Sequence, residues 1–135
     1  MNKPLSVKDH MTKDLVTFTP ETNILAAIST LLKHNISGAP VIDDTGWIVG
    51  ILSEYDCLKP NLLSSYHNDP GTLVKDCMSE IITTIDANAS LTEAAELFIK
   101  KGMRRLPVIE NKKLIGQISR RDILRVINEF AETVE

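Results

Sequence analysis

The sequence predicts an α+β fold with α/β-like character, built from two copies of one β-α-β-β-α unit. Three observations carry this prediction. The first is an internal repeat. Val7-Lys8-Asp9-His10-Met11-Thr12 returns as Val74-Lys75-Asp76-Cys77-Met78-Ser79, and at the same offset Thr17 falls on Thr84, Ala27 on Ala94 and Lys33 on Lys100. Pro40-Val41-Ile42-Asp43 matches Pro107-Val108-Ile109-Glu110. After a one-residue difference in the next turn, Gly50-Ile51-Leu52-Ser53 matches Gly116-Gln117-Ile118-Ser119, and Asp56 meets Asp122. One offset held across so many elements marks a duplication. The second observation is a helical apolar period early in each copy. The third is a pair of short apolar runs later in each copy, joined by turn-prone residues.

Taken in order, each copy opens on a short strand, Leu15 to Phe18 and Ile82 to Ile85. A helix follows, with Ile24, Ala27, Ile28, Leu31 and Leu32 on one stripe, repeated as Leu91, Ala94, Ala95, Phe98 and Ile99. This is the spacing of a core-facing helix. Thr22 and Ser90 are expected N-caps, Ser90-Leu91-Thr92-Glu93 has the form of a capping box, and Gly102 suits a left-handed helix stop. Two strands come next, Ala39 to Asp43 with Trp47 to Ser53, and Leu106 to Glu110 with Lys113 to Ser119. The turns Asp43-Asp44-Thr45-Gly46 and Glu110-Asn111-Lys112 predict antiparallel hairpins. A last helix starts near Glu54 and near Arg120, the second expected to bury Ile123, Val126, Ile127 and Phe130. The Pro, Ser, Asn and Gly content around 59–73 reads as a linker. The expected division is residues 1–62 as the first repeat, 63–73 as linker and 74–135 as the second repeat. One unit has too few elements to cover both faces of its sheet. The copies are therefore expected to pack sheet to sheet with pseudo-twofold symmetry, forming two equivalent clefts.

Composition narrows the function classes. The chain has 135 residues, 43% of them hydrophobic, and a formal net charge of −3. That charge argues against a general nucleic-acid binder, which carries a basic face. No apolar run nears the roughly 18 residues of a membrane span, and the opening residues lack a signal-peptide core. Cys57 and Cys77 are too few for a disulfide framework and read as free thiols. These features predict a soluble cytoplasmic protein.

Gly102-Met103-Arg104-Arg105-Leu106-Pro107-Val108 and Leu114-Ile115-Gly116-Gln117-Ile118-Ser119-Arg120-Arg121-Asp122 resemble the cystathionine β-synthase (CBS) domain. The first copy carries weaker versions, Asn35-Ile36-Ser37-Gly38-Ala39-Pro40-Val41 and Ile48-Val49-Gly50-Ile51-Leu52-Ser53-Glu54-Tyr55-Asp56. Their order and duplication resemble the tandem arrangement known as a Bateman module, over nearly the whole chain. The resemblance implies a regulatory module that binds AMP, ADP or ATP, with S-adenosylmethionine or NAD as further ligands, and that needs no cofactor. It also implies a homodimer and a separate regulated protein.

The same resemblance directs attention to particular residues. Asp122 and Asp56 are expected to accept both ribose hydroxyls, with Ser119 and Ser53 beside the phosphate and Arg120 or Arg121 adding charge. A rival reading stands next to this one, because Ser-x-x-Asp before a helix is itself a capping motif. Met103, Arg104, Arg105, Leu106 and Pro107, with Ser37, Gly38, Ala39 and Pro40 in the first copy, occupy the family's next ligand-facing segment. Two neighbouring arginines also read as a solvated pair. Thr17 and Thr84 fall where the family places the adenine ring, and Thr is equally a good strand former. Pro40 and Pro107 interrupt ladder bonding near a strand start, which suits either an adenine-reading backbone or an edge strand. Four arginines of the second copy face Ser37, Gly38, Glu54 and Tyr55 in the first. The second copy is thus the expected polyanion site. The first is expected either to take a less charged ligand or to stay empty, or else to lend Ser37 and Lys33 to a phosphate bound from the other side.

His10, His34 and His67 lack metal-site spacing, and no motif supports a Cys–His nucleophile. Gly50 and Gly116 form no phosphate-cradling loop, and Trp47 is expected to cover a hairpin edge. A nucleotide-consuming enzyme lacks a candidate general base or metal set. The competing class is a constitutive dimerisation module with vestigial sites.

Overall fold

The computed structural model describes residues 5–60 and 71–133, with side chains up to residue 131. In chain order the elements are α1 Val7–His10, α2 Ile24–Lys33, β1 Gly38–Ile42, β2 Ile48–Ser53, α3 Glu54–Leu58 and α4 Val74–Cys77. Then come β3 Ile85–Asp86, α5 Leu91–Lys101, β4 Arg105–Glu110, β5 Lys113–Ser119 and α6 Arg120–Thr133. Most of the linker expected at 63–73, with His67, lies outside the described residues.

The chain forms two compact units, Val16–Ile82 and Thr83–Glu135 together with Met1–Leu15. These units cut across the sequence copies, because the opening segment of each copy joins the body of the other. Val7 is fully buried among Ile85, Leu91, Leu106 and Ile118, and its N–H donates to the Ala89 carbonyl at 2.8 Å. Val74 is likewise buried with Ile24, Val41 and Leu52, and its N–H donates to the Thr22 carbonyl at 2.8 Å.

In the unit holding the second copy, the strand order is β3-β4-β5. β3 pairs parallel with β4 across α5, and β4 pairs antiparallel with β5. Asn111 and Lys112, at φ 53° and 68°, make the tight turn of that hairpin. The other unit repeats the plan with the β1-β2 hairpin, and Phe18 bridges Val41 in parallel. There the hairpin turn is held by Asp43, whose carboxylate accepts from Thr45 N–H, Thr45 hydroxyl and Trp47 N–H at 2.9, 2.5 and 3.1 Å. The Thr45 hydroxyl, first among these donors, holds the Asp43 carboxyl below the ordinary carboxylate range. Trp47 itself is partly exposed at this hairpin.

The opening strands are shorter than expected. Leu15 to Phe18 gives a single bridge, and the second copy's strand starts only at Ile85. Proline supplies the reason. Phe18 donates to the Pro40 carbonyl at 3.0 Å and accepts from Ile42 at 2.8 Å. The next parallel bond back would need an N–H from Pro40, which has none. Pro107 stands at the same place in β4, the central strand, so the edge-strand account of that proline does not hold.

Helix ends follow local chemistry, with one change. Ser90 caps α5 by accepting from Glu93 N–H at 3.0 Å, and Gly102 ends it at φ 65°. α2 is capped by Asn23 instead of Thr22, since its side-chain oxygen accepts from Leu25 and Ala26 N–H at 2.9 and 3.4 Å. The apolar stripes are narrower than their periodicity suggested. Leu32 is 74% and Ile99 84% exposed, and Ile127 and Phe130 are also exposed. Each small core is covered by about one turn-to-turn row, Ile24, Ala27 and Leu31, or Ile123 and Val126, and the neighbouring row faces outward.

Candidate functional site

Within each unit the candidate residues collect at one end of the strands. β3 and β4 run parallel with Ile85 beside Val108, so the same register carried back one residue sets Thr84 beside Pro107, while antiparallel β5 ends near there with Ser119 opposite Arg105. The Arg120 N–H donates to the Arg104 carbonyl at 3.1 Å, tying the loop before β4 to the first turn of α6. In the other unit Gly38 pairs with Ser53, and Glu54 N–H donates to the Ser37 carbonyl at 2.9 Å. Thr17 adjoins Phe18, which bonds to Pro40. Segments far apart in sequence are thereby joined twice in the same way.

Both acidic candidates cap their helices. Asp122 N–H donates to Ser119 Oγ at 3.1 Å, and Ser119 N–H donates to Asp122 Oδ2 at 2.8 Å. Asp56 and Ser53 repeat this at 3.1 and 2.9 Å. The capping reading is thus realised, and both aspartates are buried, each residue only 5% exposed. Each keeps a second oxygen, Oδ1, which meets a cation three residues on: Lys59 Nζ at 3.1 Å from Asp56 and Arg125 Nη1 at 2.9 Å from Asp122. Sequence reasoning passed over Lys59 and Arg125. Their signal was present, as Asp-x-x-Lys and Asp-x-x-Arg at matching positions of the copies.

The remaining candidates divide by burial. Arg104, Arg120 and Arg121 are exposed and Arg105 is half-buried, at the same end of the β4–β5 hairpin. The first copy has Ser37, Gly38, Glu54 and Tyr55 in those places, so the charge contrast between the copies persists in space. Leu106 and Ala39 are core residues, buried in their respective units, and Met103 packs against one of those cores. The side chains at these positions are therefore taken up by core packing. Gly38 has a packing reason as well: an added Cβ would stand 2.9 Å from the Leu52 carbonyl oxygen. Cys57 and Cys77 are buried in the core of the first-copy unit, and burial pushes the Cys57 thiol up to about 11. Among the described residues, no group of three His, Cys, Asp or Glu side chains is placed to hold a metal ion, and no helix is long and apolar enough to cross a membrane.

Residues 7–60 and 74–129 each match the sequence model of the CBS domain. The chain belongs to the CBS domain family. The CBS domain-containing protein YhcV of Bacillus subtilis is 30% identical over 118 residues, 87% of this chain and 82% of that protein. The A-adding tRNA nucleotidyltransferase of Aquifex aeolicus is 30% identical over 128 residues, 95% of this chain but only 15% of that enzyme. The CBS-pair protein CBSX2 of Arabidopsis thaliana superposes with a TM-score of 0.83 at 30% identity, covering 96% of this chain and 99% of the solved one. CBSX2 in complex with AMP superposes at 0.79, covering 94% and 98%. Two CBS repeats in an α+β fold thus account for nearly all the described chain.

Proposed function

We propose that this CBS pair is a regulatory module that binds an adenine nucleotide, with AMP the first candidate, and acts through another protein without catalysing a reaction. The observation that carries this reading is the likeness to CBSX2, a protein solved with AMP, at 30% identity over 94% of the chain. The site assigned to the nucleotide in the second repeat comprises Thr84, Arg104, Ser119, Arg120 and Asp122, with the neighbouring backbone of Leu106 and Pro107. Asp122 serves the ribose, and the exposed arginines serve the phosphate through charge-assisted bonds. The first repeat offers Thr17, Pro40, Ser53 and Asp56 but has Glu54 in place of a cation. It is assigned a less charged adenosyl ligand.

Exposed Leu124, Ile127 and Phe130 on α6, and Ile99 on α5, support pairing of two copies through these helices, since exposed apolar surface of this kind marks association surfaces. The test is a thermal-shift screen with AMP, ADP, ATP, S-adenosylmethionine and NAD. A ligand at about 100 times its dissociation constant adds roughly 2.7 kcal/mol to stability. A shift with AMP supports the reading, and ATP left intact after incubation with Mg²⁺ supports binding without turnover. No shift with any of these compounds would favour the second reading, an assembly module whose sites are vestigial.

A further inference from the structure

A capping box is complete with its serine and its aspartate, yet in both repeats the aspartate has a third partner. Lys59 and Arg125 each reach Oδ1 of a buried carboxylate, at 3.1 and 2.9 Å, while the other oxygen, Oδ2, is held by backbone N–H. The cations themselves are 54% and 61% exposed, so they are ordered from the solvent side onto groups that are only 8% and 7% exposed. Helix capping does not call for this partner, and surface ion pairs three residues apart add little stability. Its presence at equivalent positions of a duplicated unit asks for another purpose.

The arrangement supplies one. A carboxylate has about four acceptor positions. With one donor fixed on each oxygen, its plane is pinned, and each oxygen keeps a remaining acceptor position. Two acceptors held side by side match the two hydroxyls of a cis-diol. We infer that Arg125 in the second repeat, and Lys59 in the first, are positioning residues that set the carboxylates of Asp122 and Asp56 to accept both ribose hydroxyls, an inference that rests on the adenosine-binding reading of these sites. Arginine's planar fork fixes a partner's orientation more firmly than the compact ammonium of lysine. The second repeat is therefore the stricter reader of ribose.

The test is calorimetric titration of AMP and of 2′-deoxy-AMP, in an Asp56→Ala background so that the second repeat alone reports. With Arg125 present, AMP is expected to bind more tightly than its 2′-deoxy analogue. Arg125→Gln is expected to cut that preference about tenfold, the scale of one charge-assisted hydrogen bond, and Arg125→Lys to restore part of it. The preference is a ratio within one variant, so a change in folded fraction does not move it. An equal fall for both nucleotides would show a structural role only. Tighter AMP binding by Arg125→Gln would show that the arginine competes with ribose; either result overturns the inference. If the protein with Arg125 intact binds neither nucleotide, or both alike, the ribose reading itself fails.

Discussion

Met11 lies across Gly116 so closely that a side chain on the glycine would collide with its sulfur and with the carbonyl of Thr12. Thr12 and Gln117 exchange backbone hydrogen bonds of 2.8 and 2.9 Å, which hold the segment in place along β5. Met78 and Gly50 repeat the contact, with Ser79 and Ile51 exchanging two bonds of 2.9 Å. These glycines are seats for the segments that complete each unit.

Gly116→Ala is therefore expected to destabilise the protein by about 1–3 kcal/mol, the usual range for overpacking. Gly50→Ala should cost less, because the nearest backbone atom to the added carbon is 3.1 Å away there and 2.9 Å away at Gly116. Urea unfolding of the two variants measures the order, and a larger loss at Gly50 would contradict it.

Val7→Ala should cost about 2 kcal/mol, since two buried methyl groups are lost with little room to collapse. Its effect should fall on the second copy, whose core Val7 enters. Hydrogen exchange is expected to quicken at amides of β4, β5 and α6, with those of β1 and β2 less affected. The reverse pattern would mean that the segment belongs to its own copy.

Cys57 sets a pH dependence. Burial, then the neighbouring Cys77, raises its thiol from 9.0 in the unfolded chain to about 11. Between these values the unfolded state has released the proton and the folded state has kept it. The thiol's contribution is thus intact below about pH 9 and is lost as the pH climbs toward 11. Burial shifts Cys77 in the same direction. Chemical denaturation from pH 8 to 10.5 should show stability falling more steeply for the natural chain than for Cys57→Ala, and parallel curves would refute this.

Asp122→Ala should weaken AMP binding more than Asp56→Ala, because only the second repeat gathers arginines beside its aspartate. Each substitution also removes a helix cap and is expected to cost about 0.5–2 kcal/mol of stability. Titration with AMP separates the two effects. Replacing Arg104 and Arg120 by Gln should weaken AMP and leave adenosine nearly unchanged. An equal loss for both ligands would remove the phosphate from these side chains.

Much of the site was legible from short-range chemistry. Ser119 and Asp122 announce a capping box by their spacing, Gly102 a helix stop, and Asn111 with Lys112 a tight hairpin. The opening strand at Leu15 to Phe18 misled because strand propensity speaks for one segment, whereas ladder bonds need a donor on the partner. Proline at position 40 removes that donor. Leu32, Ile99, Ile127 and Phe130 fit a helical period, but the period does not say how wide a row the core will cover.

By itself the sequence determined the duplication, the main helices, the hairpins and the positions of the two capping aspartates, all set by local geometry or by self-similarity, but not the one-turn helices α1 and α4 that open the copies. Only the tertiary structure decided that Val7 completes the second copy and Val74 the first, and that the loop at Arg104 is tied to the start of α6. It also decided that Lys59 and Arg125 close on the capping carboxylates. Burial and hydrogen bonding between distant segments choose partners by fit in space, and residue order along the chain does not record that choice.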